Sequence, residues 1–269
     1  MKQLIAILAL CLCTTALTAQ QNTSYDVIIN LDDRLTNYKQ QDRDIRLITR
    51  AFNDWKTGVQ KQLYITSESS FRILITDQTS TGYEVKEIAQ SLTLNLSNEK
   101  PGYRRTAVDN YSSKLQGRLA ALYQAADRGS DQNLYSGANL WKYLNGAYYD
   151  EIRREAGVHT HMILLTDGYI DFESAPTQFS NSEQFSSTAF LQDIRVLEWE
   201  EQLNKKGLLP CSIDLTGVHV SIYELSPKVD FPFELQILKK IHTNWFKAMG
   251  AEHVITKGQT ASIDYVAFK

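Results

Sequence analysis

Cysteine is nearly absent from the part of this 269-residue chain that can fold. Of its three cysteines, Cys11 and Cys13 lie in an apolar N-terminal leader. Cys211 therefore stands alone, and an intramolecular disulfide is excluded. Beyond the leader, no run approaches the roughly 20 apolar residues that a membrane-spanning helix needs, so no membrane span is expected. Neither sign of charge dominates, with 28 Lys and Arg against 31 Asp and Glu for a formal net charge of −3. That balance lacks the basic footprint of a nucleic-acid binder, and removing Lys2 with the leader takes it one unit lower. Internal repeats and low-complexity linkers are also missing, which leaves one domain with insertions as the expected organisation.

The leader itself is informative. Lys2, the apolar run from Leu4 to Leu12 and a small-residue stretch ending near Ala19 read as a secretory signal over residues 1–19. The mature chain is expected to span 20–269, starting near Gln20 or Gln21, and to reside in the periplasm or outside the cell. Leu10 precedes Cys11 where a lipid anchor wants a small residue, so lipidation is disfavoured.

The strongest internal signal is His161-Met162-Ile163-Leu164-Leu165-Thr166-Asp167-Gly168, an uncharged run stopped by Asp-Gly. Such a run suits a strand buried on both faces of a parallel sheet. Asp167 then stands at its carboxyl end, where open α/β sheets bind ligands. Tyr25 to Leu31 repeats the pattern and leads into Asp32-Asp33-Arg34-Leu35-Thr36. Parallel strands distant in sequence can be neighbours through helical crossovers, so these two carboxylate-tipped strands can share one acidic pocket.

Between and after them, helical spacing predicts helices over Arg43–Val59, Tyr111–Ala126, Phe190–Leu203 and Phe233–Met249, with Ala138–Leu144 as a loop feeding a helix. Strands are expected at Ser70–Thr76, Val218–Tyr223 and His253–Thr256. Tyr83–Leu96 alternates imperfectly and reads as a strand pair or an inserted hairpin. The polar stretch Tyr169–Ser187 is a long loop of the kind that covers a site or moves. Alternating strands and helices predict an α/β fold: a doubly wound, mostly parallel central sheet with helices on both faces, a Rossmann-like three-layer sandwich.

Three pieces together resemble the von Willebrand factor type A domain. In that family a first strand ends in Asp-x-Ser-x-Ser, a later Gly-Thr-Asn-Leu loop supplies a Thr, and a central strand ends in Thr-Asp-Gly. The corresponding pieces here are Asp32-Asp33-Arg34-Leu35-Thr36, Ser136-Gly137-Ala138-Asn139-Leu140 and Leu165-Thr166-Asp167-Gly168, in the family's order within about Tyr25 to Thr256. The resemblance implies a metal site of Asp32, Thr36 and Asp167 holding Mg²⁺ or Ca²⁺, hard cations that want oxygen ligands. Arg34 and Ala138 stand where hydroxyl ligands belong, and a guanidinium could fill the cation's place by bridging Asp32 or Asp167. The implied site is therefore degenerate, with weak or lost cation binding. Without metal, Asp32, Asp167 and Thr36 read as caps of turns or helices, Asn139 as a residue holding its loop, and Asp171 as a solvated neighbour.

The functional expectation is a non-enzymatic, exported interaction module that recognises a protein partner at the carboxyl edge of the sheet. The competing expectation is a Mg²⁺-dependent phosphatase resembling the haloacid dehalogenase superfamily, with Asp32 as nucleophile. There Arg34 occupies the position of the acid/base Asp and cannot exchange protons at ordinary pH. His159 and His161, two apart on one strand face, form a possible metal pair with no third ligand evident in the sequence. Tyr135, Trp141, Tyr143, Tyr148 and Tyr149 fit helix packing better than a binding surface. Cys211 fits packing better than nucleophilic chemistry.

Overall fold

The structure is a computed structural model. It describes residues 22–31, 38–76, 83–126, 138–153, 157–170, 183–260, 262 and 265–267. Six strands form the central sheet: β1 (Asn22–Ile29), β2 (Ser70–Ile75), β3 (Thr93–Asn95), β4 (Val158–Leu165), β7 (Val218–Leu225) and β8 (His253–Gly258). Their order is β3-β2-β1-β4-β7-β8. Edge strand β3 runs antiparallel to β2, and every other pairing is parallel. A separate two-residue pair joins β5 (Gln184–Phe185) to β6 (Gly207–Leu208).

The helices are α1 (Tyr38–Lys61), α2 (Tyr83–Ser91), α3 (Arg104–Ala125), α4 (Leu140–Asn145), α5 (Ala147–Glu151), α6 (Leu191–Ile194), α7 (Trp199–Leu203) and α8 (Glu234–Ala248). Buried residues fall into two clusters, divided by the period-two alternation of the strands. Val27 and Ile29 of β1, with Ile163 and Leu165 of β4, join Ile48, Phe52 and Trp55 of α1 and Leu115 and Leu119 of α3. Ile28, Met162, Leu164 and Ile222, from the alternate positions, join Leu144 of α4, Tyr148 of α5 and Leu238, Trp245 and Phe246 of α8. This double burial is why the carboxyl halves of β1 (27–29) and β4 (162–165) read as apolar runs without alternation.

Three expectations need correction. Tyr83–Leu96 is neither a strand pair nor a hairpin but helix α2 followed by β3. Val85 and Ala89 bury one face of α2, while the apparent Leu92, Leu94, Leu96 alternation comes from the turn after it, the short strand and the 3₁₀ turn that begins at Leu96. The helix expected from Tyr111 begins at Arg104, because that residue is buried by polar bonds rather than by apolar pattern. Its guanidinium donates to the carbonyls of Ile65 (2.8 Å) and Glu99 (3.2 Å). Phe190–Leu203 is broken into α6 and α7: Arg195 leaves helical geometry at ψ 61°, and its guanidinium turns toward Glu234.

Candidate functional site at the carboxyl edge

Because β1 pairs with β4 in parallel, with Ile29 opposite Leu165, the residues that follow both strands emerge at one edge. A polar ladder crosses that edge. The Thr76 hydroxyl donates to Asn30 Oδ1 (2.9 Å), and Asn30 Nδ2 donates to Thr166 Oγ1 (3.3 Å). Thr166 Oγ1 in turn accepts from the backbone of Gly168 (3.1 Å). All three side chains are fully buried. The ladder satisfies groups that would otherwise be desolvated without partners at the strand ends.

Asp167 lies beside it, 1% exposed. One carboxylate oxygen accepts from the Tyr169 backbone (2.8 Å) and the other forms an ion pair with Lys228 Nζ (2.8 Å). The ammonium also sits 4.8 Å from the centroid of the Tyr169 ring, so the aromatic face adds to its stabilisation. A positive charge thus contacts the acid that the family resemblance assigns to a cation. Gly168 makes the turn possible at φ +98°, and a Cβ there would meet Leu225 at 2.8 Å. Its carbonyl is bonded to Nε2 of the fully buried His242 (2.8 Å). Burial lowers the His242 pKa to about 4, only partly offset by that backbone bond.

Two buried carboxylates flank the edge. Glu224, at φ 72° near the end of β7, takes a two-pronged bond from Arg43 of α1 (2.7 and 2.9 Å). Glu234, at the start of α8, takes the same arrangement from Arg195 (2.8 and 3.0 Å) and a short bond from the Tyr169 hydroxyl (2.6 Å). Burial pushes the Glu234 carboxyl up, but Arg195 and Tyr169 outweigh it and hold the group below the usual range. The Arg195–Glu234 pair ties the start of α8 to the link between α6 and α7 (195–198), the Lys228 backbone donates to the Tyr169 hydroxyl (3.1 Å), and Arg43–Glu224 ties the end of β7 to α1.

That fixed surface carries exposed apolar side chains. Leu197 is 81% exposed, and Val196, Val229 and Phe233 are also exposed in the two connections. The Phe233 ring stacks on Trp199 at 6.2 Å and meets Phe231 edge-on at 5.8 Å. Lys228, partner of Asp167, is the residue preceding Val229. The sequence pattern gives no notice of these residues, since Val196 and Leu197 fall inside the helix expected over Phe190–Leu203 and Phe233 opens the one expected over Phe233–Met249.

Among the residues singled out from the sequence, Asp32, Arg34, Thr36, Tyr135, Ser136, Gly137 and Asp171 lie outside the described residues, as does 171–182 of the long loop. The ends of that loop are tied together where Ile170 and Thr188 exchange bonds of 2.9 and 3.1 Å. Ala138 is buried, and Asn139 caps α4 by accepting from the Lys142 backbone (2.9 Å). Trp141 and Tyr148 pack in the core, while Tyr143 stacks on Tyr148 at 6.2 Å and Tyr149 is exposed. Cys211 is buried with its thiol pushed up to about 12, which keeps it protonated and unreactive. His159 and His161 lie near the opposite, amino-terminal edge of the sheet, in β4.

Comparison with known protein families finds no match, and comparison with curated proteins finds none either.

Proposed function

We propose that this chain is an exported, non-enzymatic interaction module resembling the von Willebrand factor type A domain, which recognises a protein partner at the carboxyl edge of its sheet with weak or lost dependence on divalent cations. On this reading the sheet is doubly wound, in a three-layer sandwich. The strand order supports it, because a sheet that grows outward on both sides of β1 and β4 has its switch point between those strands. Asn30, Thr166 and Asp167 stand at that point.

The observation that carries the partner reading is the apolar patch of Leu197, Val229 and Phe233 beside the Asp167–Lys228 pair. Contiguous apolar groups held rigid at a surface and bordered by charge are a common feature of protein-binding faces. The ion pair supports weak cation dependence. A divalent ion at Asp167 would have to displace an ammonium that contacts both the carboxylate and the Tyr169 ring.

The test is capture by cross-linking from a cell-envelope extract, comparing the wild-type protein with Leu197→Asp and Val229→Asp. Both positions are exposed, so the fold should survive, and circular dichroism checks that it does. Each variant is expected to weaken retention of the captured protein about tenfold, the cost of a single important contact. Retention unchanged in both variants would remove the carboxyl edge from the interface.

A further inference from the structure

A second cluster of chemistry-bearing side chains occupies the opposite edge of the sheet, and it arises from strand register. Tyr25 of β1, His161 of β4, His219 of β7 and His253 of β8 are successive cross-strand partners. Parallel neighbours lie about 4.8 Å apart and direct their side chains to the same face. The rings accordingly form a row, with centroids 4.8 Å apart for Tyr25 and His161, 5.2 Å for His161 and His219, and 4.6 Å for His219 and His253. Glu252 enters β8 one residue before His253. A ligand atom from each of His219, Glu252 and His253 lies within 4.8 Å of the other two.

We propose that His219, Glu252 and His253 form a binding site for a transition-metal dication of the Zn²⁺ class at the amino-terminal edge of the sheet. Two imidazoles and one carboxylate are a donor set that suits Zn²⁺ and its neighbours, whereas Mg²⁺ and Ca²⁺ require oxygen donors throughout. Tetrahedral ligands at about 2.1 Å from zinc stand about 3.4 Å from one another. The observed separation is therefore closed by small side-chain rotations. Glu252 and His253 are exposed and free to make them, while the half-buried His219 supplies a fixed anchor.

The surroundings point the same way. His219 and Glu252 line a cavity of about 450 Å³ shared with His159, His161, Asp54 and Lys61. Three protein ligands leave a fourth position for water, and the cavity beside the cluster gives that water, or a small anionic ligand replacing it near Lys61, room to bind. The pair His159 and His161, visible in the sequence without a third ligand, thus borders the site rather than forming it. The third and fourth histidines come from strands about 60 and 90 residues later, joined only by register. This site is independent of the carboxyl-edge interface.

The experiment is calorimetric titration of the chelator-stripped protein with Zn²⁺, with Co²⁺ as a spectroscopic probe. One Zn²⁺ per chain is expected, with the visible absorption of four-coordinate Co²⁺. His253→Ala and Glu252→Gln, both at exposed positions, should each weaken Zn²⁺ binding at least tenfold and abolish the Co²⁺ spectrum. Lack of Zn²⁺ binding by the wild type, or unchanged affinity in both variants, would overturn the site. Either result leaves capture at the carboxyl edge unaffected, so the two proposals fail separately.

Discussion

Asp26→Ala should cost about 3–5 kcal/mol of folding stability, a large part of the 5–15 kcal/mol that domains typically possess. Asp26 is fully buried within β1. It receives two bonds from Arg72 of β2 (2.8 and 2.7 Å) and one from the Tyr148 hydroxyl of α5 (3.0 Å). The Arg72 side chain is itself only 14% exposed and also donates to the carbonyl of Glu151 (2.9 Å). Truncating the acid strands a guanidinium and a phenol in an apolar setting, so the penalty is that of unpaired buried groups rather than of one lost contact. Replacing both ion-pair partners, as Asp26→Leu with Arg72→Met, should recover part of the loss, the Tyr148 hydroxyl still being left without its acceptor. Urea denaturation of the single and double variants checks this. A single variant costing less than about 1 kcal/mol, or a double variant as damaged as the single, would show that stranded buried groups at this pair are not what holds the strand.

Acid should destabilise the fold well before the carboxylates titrate. His242 binds its proton near 6.5 when unfolded but only near pH 4 when folded, because burial disfavours the imidazolium. The unfolded chain therefore takes up protons that the native state refuses. The stabilising contribution of neutral His242 is intact above pH 6.5, declines as pH falls from 6.5 to 4, and declines no further below that. Over the whole window the loss is about 3 kcal/mol, and between pH 6.5 and 5 about 2 kcal/mol. His161, lowered to about 3 by burial and then by His219 and His159, acts in the same direction. Glu234 is depressed instead, so its contribution is lost only as pH falls below the ordinary carboxylate range. Urea denaturation at pH 7.5 and 5 with chelator present should show the slope, and His242→Gln should flatten it. An equal slope in that variant would place the acid sensitivity elsewhere.

The apolar ends of β1 and β4, the alternation in β7 and the amphipathic faces of α1 and α8 are legible because burial imposes a local pattern on each. The α/β class followed from their alternation. Tyr83–Leu96 was misread because a two-turn helix and a three-residue strand are each too short to show a period. The break at Arg195 was hidden because its cause, Glu234, lies 39 residues away.

The candidate site divides in the same way. Asp167 was legible as an acid at a strand end, and the structure buries it at the carboxyl edge next to the end of β1. Its partner was not legible, because Lys228 is an ordinary residue in a polar connection and reaches Asp167 only through the packing of β7 beside β4. Nor was the histidine row, which depends on register across three strands. Nonlocal pairing decides both, and a single sequence records it nowhere.

On the proposed reading the Lys228 ammonium, not a divalent cation, satisfies Asp167 at the carboxyl edge of the sheet. Calorimetric titration of the purified protein with Mg²⁺ and with Ca²⁺ tests it most directly. No saturable heat is expected at millimolar concentrations, and the melting temperature should be the same with and without either ion. Saturable binding of Mg²⁺ or Ca²⁺ that disappears in Asp167→Asn would contradict it.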